Sequence, residues 1–221
     1  MTEIAEFVKL VHTDCPGGPD FLKKRAVCQA AMEFFRQTRA WREFLASAGY
    51  VNDYTAEIDV NAVAHRVAAN VTVMDVDDVW LSADGTRLKK RAAPAMDFNR
   101  PDWRSDKSRT PTGYFMTANR RLRVYPSIEA GASMVWLDLE LVLLPTLDTE
   151  WFPDFAFEIY GETIAAGAAQ RLKSQTAMEW SDPKAAEYFM KKFQLGVHEA
   201  KIEKARRVVV ALNDRRRRCF R

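Results

Sequence analysis

The stretch MVWLDLELVLLP, Met134 to Pro145, decides how the rest of the chain is read. Its apolar residues alternate with Asp138 and Glu140, the period of two expected of a strand with one buried and one polar face. Working outward, a near-alternating period recurs at Ala56–Val60, Val71–Val76, Val79–Leu81 and Leu122–Tyr125, so residues 50–150 read as an antiparallel β-domain. Asp84-Gly85, between Val79-Trp80-Leu81 and Leu88, has the composition of a two-residue hairpin turn whose central positions both need positive φ. From Ala92 to Thr112 the chain is rich in Pro, Asp, Arg and Ser without a period. This predicts a long exposed loop over 92–112, the kind of segment that often forms a contact surface.

On both sides of this middle third the period becomes helical. Ile4, Phe7, Val8 and Val11 fall on one side of a first helix, which Asp14-Cys15-Pro16-Gly17-Gly18-Pro19 stops. Asp20 then caps a second helix, and Val27, Ala31, Phe34, Thr38, Trp41 and Leu45 carry its apolar stripe to about Ser47. After Pro153, Phe157, Tyr160, Ile164, Ala168 and Leu172 form another stripe, flanked by Ala165, Ala166, Gly167 and Ala169, small enough for a second helix to approach closely. Ser181 and Asp182 ahead of Pro183 are a start signal, since proline at the first helical position lacks only an N–H that would have gone unbonded. Phe189, Phe193, Val197 and Ala200 mark the buried face of a last helix to about Arg207.

The fold class is therefore α+β: an antiparallel bundle of about four helices with an inserted antiparallel β-domain. Residues 1–49 and 151–207 supply the bundle, packed through Phe34, Trp41, Tyr160, Ile164, Phe189 and Phe193, and 208–221 form a basic C-terminal tail. The β-domain should project from the bundle, because its ends are tied to the second and third helices.

Charge is unevenly placed. The chain has 221 residues and a net charge of +3. Residues 201–221 hold nine Lys/Arg against Glu203 and Asp214, a net +7, which leaves the remainder at −4. The tail, with Arg215, Arg216, Arg217 and Arg218 in a row followed by Phe220 and Arg221, is thus a separate electrostatic object suited to an acidic neighbour. An apolar anchor amid guanidinium groups suits a protein groove better than a phosphate backbone.

Signals for catalysis are missing. Neither GxxxxGK[ST] nor GxGxxG is found, and His12, His65 and His198 lie outside any GxSxG or HExxH context. Asp75, Asp77 and Asp78 lack the glycine and closing glutamate of a calcium loop and read as a charged strand edge. No catalytic, cofactor or metal residue is assigned, although a dispersed carboxylate pair in the β-domain would leave no local signature. Cys15, Cys28 and Cys219 are scattered and odd in number, so they read as reduced thiols. Without a long apolar run, and with acidic residues near its start, the chain reads as soluble, cytoplasmic when made and independent of membranes. Trp80, Trp103, Trp136, Trp151 and Trp180 are candidates for interface anchors or for core packing.

Several of these stretches resemble a known family. Pro153-Asp154-Phe155, Ile164-Ala165-Ala166-Gly167-Ala168 with Arg171-Leu172, Trp180-Ser181-Asp182-Pro183, and then Tyr188, Phe193 and Gly196 resemble the head-to-tail adaptor (connector) proteins of podovirus-like tailed bacteriophages. Phe34-Phe35, Thr38 and Trp41-Arg42 fit the same pattern, so the likeness covers both helical segments, about half of the chain. It implies a structural virion protein without enzymatic activity, assembled as a homo-oligomeric, dodecameric ring between the portal protein and tail or nozzle proteins. Such a ring lines the channel through which DNA passes without sequence specificity during ejection. The resemblance further implies that the C-terminal segment grips the portal, and that the protein resides at the head-to-tail interface of the virion after assembly in the host cytoplasm. An alternative reading from the basic tail alone is a nucleic-acid-binding accessory protein.

Overall fold

The structure is a computed structural model that describes residues 1–52, 57–93, 96, 101–117 and 119–219, side chains at 101, 204 and 206–219 excepted. The chain divides into two compact units, Met1–Trp41 with Leu144–Arg221, and Arg42–Leu143. It is an α+β protein, with helices concentrated in the first unit and mostly antiparallel sheets in the second.

The helical unit opens with β1 (Thr2–Glu3), which pairs antiparallel with β11 (Trp151–Phe152). Helix α1 (Ile4–Asp14) buries Ile4, Phe7, Val8 and Val11, and the Phe7 ring meets Phe152 and Phe157 edge-on, each at 5.2 Å. Helix α2 (Asp20–Thr38) buries Phe34 and Phe35 completely, and each such ring contributes about 1.5–3 kcal/mol by leaving water. Asp20 lies in the first turn, and Pro19 occupies the cap position without a side-chain bond.

The second helix does not continue to Ser47. It stops at Thr38 because Arg39 adopts a left-handed φ of 54° and its N–H returns to Phe35 O at 2.8 Å, an αL termination. Trp41 lies beyond the helix yet is fully buried, its ring 5.6 Å from Phe35. Leu45 belongs to a strand.

The segment after Pro153 is also divided. Helix α4 (Asp154–Glu158) and helix α5 (Gly161–Lys173) are interrupted at Ile159-Tyr160, where Tyr160 takes φ −118°, ψ 5°. The interruption brings Tyr160 to 4.8 Å from Phe34, with Phe155 6.4 Å from both Tyr160 and Phe35. An aromatic cluster thus replaces a turn of helix. Helix α5 buries Ile164 through Ala169 without interruption because α1, α2 and α6 (Pro183–Cys219) all pack against it. Its small residues allow that approach. The backbone of α6 is helical to Cys219, twelve residues past Arg207, so most of the basic segment continues the helix. Phe220 and Arg221 lie outside the described residues.

In the second unit β2 (Arg42–Val51), β10 (Val135–Pro145) and β4 (Val71–Leu81) form a three-stranded sheet with β10 central. Leu137, Leu139 and Leu141 of β10 are fully buried, while Trp136, Asp138 and Glu140 face the other way. The remaining elements include β3 (Glu57–Asp59), a short helix α3 (Val60–Ala64), β5 (Lys89–Lys90), β6 (Lys107–Ser108), β7 (Gly113–Met116), β8 (Arg121–Tyr125) and β9 (Ser127–Ile128). They make a sheet in the order β3-β8-β7-β5 and a pair β6-β9. The short pairs β5/β7 and β6/β9 are parallel. Ala56, read as the start of a strand, lies outside the described residues.

The turn at Asp84-Gly85 differs from a two-residue hairpin. Leu81 N donates to Thr86 O at 2.9 Å, which leaves a four-residue loop, and only Gly85 has positive φ, at 69°. Asp84 instead accepts from Thr86 N at 2.9 Å, and that bond holds its carboxyl below the usual range. The 92–112 segment is anchored where it is described: Pro101–Ser105 is a 3₁₀ turn and Lys107–Ser108 is a strand. Trp103 is 4% exposed, packed edge-on against Phe115 at 5.0 Å and Tyr125 at 5.9 Å. Residues 94–95 and 97–100 of the predicted loop lie outside the described residues.

Candidate docking surfaces

The last two helices lie antiparallel along each other. Asp182 N donates to Lys173 O at 3.0 Å at one end, Lys192 pairs with Glu162 at 3.1 Å, and the Tyr160 hydroxyl meets Glu203 at 3.3 Å at the other. The start of α6 is capped by Asp182, whose Oδ1 accepts from Lys184 N at 3.1 Å and Ala185 N at 3.0 Å, while Ser181 precedes the cap and is half-buried. Two glycines set the spacing. A Cβ on Gly167 would fall 2.7 Å from Phe193 Cδ2, and one on Gly196 would fall 2.6 Å from Thr163 Cγ2. Phe34, Trp41 and Ile164 are fully buried and Phe193 nearly so, whereas Tyr160 and Phe189 are half-buried, with Phe189 5.3 Å from the exposed Tyr188 ring. Arg171 pairs with Glu33 of α2, donates to Gly167 O at 2.7 Å, and its guanidinium lies 5.9 Å from the Phe193 ring.

Beyond Glu203, α6 continues as helix for sixteen residues, about 24 Å at 1.5 Å per residue. Arg215 to Arg218 lie on this last part. Positive charge there complements the partial negative charge of a helix C-terminus, so the arginine run also favours the helix that carries it.

The β-unit presents a second surface. Phe44, Tyr50, Met134 and Trp136 are all more than a third exposed, and rings pair as Phe44–Trp80 at 5.6 Å and Tyr50–Trp136 at 5.3 Å. Beside them a groove of about 610 Å³ is lined by Leu81, Ala83, Met134 and Trp136, with Asp84 and Thr110 among its polar residues. Phe44 escapes a sequence reading that carries the helical spacing to about Ser47, whereas Tyr50 falls at the start of the predicted β-domain. Their pairing with Glu140 and Trp136 across β2 and β10 is what brings them to the outer face.

The acidic group on β4 is engaged in ion pairs: Asp75 with Lys90 at 2.8 Å, Asp77 with Arg42 at 2.7 Å, and Asp78 with Arg87. Tyr114 donates to Asp77 O at 2.8 Å, and burial together with the nearby aspartates pushes its phenol well up. Asp138 accepts from Ser47 N at 2.8 Å and from the Ser82 hydroxyl. It thereby fills the irregularity where the β2–β10 register shifts between Leu137 and Leu139, at which Ser47 takes φ 47°. His12 Nδ1 lies 2.8 Å from the buried Lys23 ammonium, while His65 and His198 are exposed. Cys15 and Cys28 are buried free thiols. Among the described residues no group of His, Cys, Asp and Glu is gathered to hold a metal ion, and no helix is long and apolar enough to cross a membrane.

A search of curated proteins finds no match to this chain. The model of the SU10 adaptor protein family matches residues 5–218, spanning both units. The chain therefore belongs to the SU10 adaptor protein family, the structural head-to-tail adaptors of phage virions.

Proposed function

We propose that the protein assembles as a ring between the portal and the tail, with its C-terminal segment docked on the portal and DNA passing through the ring without sequence-specific contact. The family match over residues 5–218 carries this reading. The extended end of α6, positively charged and longer than the helix it packs against, is the feature suited to reach a neighbouring protein. The exposed aromatic face of the β-unit is suited to contact tail or nozzle proteins, because aromatic side chains gain most when such surfaces leave water. Ring closure needs only modest contacts repeated around a circle, and the net negative charge of residues 1–200 suits a channel wall that repels DNA phosphates. The role is non-catalytic.

Electron microscopy of the full chain with and without a cognate portal tests the proposal. Rings coaxial with the portal are the expected result, and a chain that never associates with capsid or tail would overturn it. The arginine run also favours a second reading, a nucleic-acid-binding accessory protein. That reading requires DNA affinity falling steeply with salt, and a flat salt response removes it.

A further inference from the structure

Helix α6 has two apolar faces, only one of which is covered. Phe193, Val197 and Ala200 are buried toward α5 and α2. Tyr188, Leu195 and Ile202 are 63%, 59% and 39% exposed. These three recur at steps of seven, which keeps them on one stripe. Phe193 precedes Leu195 by two residues, about 200° around the helix, so the exposed stripe lies opposite the buried one. Single exposed apolar residues are ordinary, but a stripe in heptad register marks a face that packs against something. Beside it the exposed Lys184, Lys191 and Lys192 outnumber Glu199, with Lys191 paired to Glu187 at 2.8 Å and Lys192 to Glu162 at 3.1 Å, so the stripe is net positive.

The same unit carries a surface of complementary character. Between Thr146 and Tyr160 there are four acidic residues and no Lys or Arg. Asp148, Glu150, Asp154 and Glu158 are all exposed there, interspersed with Leu147, Trp151 and Ile159 at 47%, 44% and 54% exposure. This acidic, apolar strip runs over β11 and α4 and shares no element with α6.

We infer that the outer stripe of α6 is the face by which one copy of this chain binds the next, and that its occupant is the acidic strip of that second copy. The inference rests on the ring reading, since a closed ring requires each copy to offer two different, complementary patches. Opposite net charge around an apolar centre favours this pairing over stripe against stripe, in which two net positive faces would meet.

The test compares the full-length wild type with Lys184→Glu/Lys191→Glu by mass photometry and negative-stain microscopy, alone and with portal. The charge-reversed chain should associate with itself at least about tenfold more weakly, with its melting temperature lowered only by the small cost of losing the exposed Lys191–Glu187 pair, and adding Glu150→Lys/Glu158→Lys should restore rings. A second variant, Tyr188→Ala/Leu195→Ala, removes the apolar stripe without reversing charge and should also lose association. Variants that assemble like the wild type overturn the assignment of this face while leaving the ring reading standing. Loss without rescue overturns the acidic strip as the occupant. A wild type that stays monomeric both alone and on portals overturns the ring reading and this inference together.

Discussion

Gly196 and Thr163 approach so closely across the α5–α6 hairpin that a Cβ on the glycine would lie 2.6 Å from Thr163 Cγ2. Glycine costs a helix interior about 1 kcal/mol relative to alanine, so the contact it permits must outweigh that loss. Gly196→Ala is expected to destabilise the helical unit by about 1–3 kcal/mol despite its better helix propensity, as overpacking does. Denaturant unfolding checks this. Thr163→Ala in the Gly196→Ala background should recover part of the loss, because it removes both the hydroxyl and the methyl group that the added Cβ would meet.

Asp138 is expected to matter for stability rather than chemistry. Asp138→Ala leaves the Ser47 amide and Ser82 hydroxyl without this acceptor and should cost about 1–3 kcal/mol. Thermal melts of Asp138→Ala and Asp138→Asn check it, with the amide, which keeps a carbonyl oxygen, closer to wild type.

Cys28 gives the protein an alkaline sensitivity. Burial, and secondarily Asp148, push its thiol up to about 11 from an ordinary value of 9.0. Between those values the unfolded chain has released the proton that the folded chain still holds, so stability falls as pH rises from about 9 to about 11. Below that window both states are protonated and the slope from this group vanishes. Unfolding measured from pH 8 to 11 should show the decline, and Cys28→Ala should make it shallower, with Cys15 and Tyr114, whose protons burial also holds, keeping the remainder.

Removal of residues 214–221 should leave the melting temperature within about 1 °C of wild type, because stability effects away from packed features are small, while abolishing attachment to the portal. Co-sedimentation with portal rings is the measurement. Retained attachment would show that the arginine run does not carry the docking.

The elements that sequence predicted best are those with a clear period and a buried face. The alternation from Val71 to Leu81 and from Met134 to Leu144 corresponds to β4 and β10, and Asp182-Pro183 marks the start of α6. The errors share a physical cause. Trp41 and Leu45 continue the helical spacing of α2, but the helix ends at Arg39, a non-glycine residue in the left-handed region that sequence does not flag. Tyr160 likewise sits in phase with Ile164, and only the aromatic cluster with Phe34 and Phe155 explains the interruption there. In both places tertiary packing overrides local preference. The exposed Phe44 was hidden by the first error. Its signal would have been β2 read as the partner of β10.

Arg42 and Val142 are register partners on adjacent antiparallel strands, which places their Cα atoms only about 4.5–5.5 Å apart. The polypeptide consequently leaves for the β-unit and comes back from it through almost the same point. A module entered and left at two paired strand positions can be enlarged, shortened or exchanged over evolutionary time without altering the spacing at which the chain on either side of it resumes.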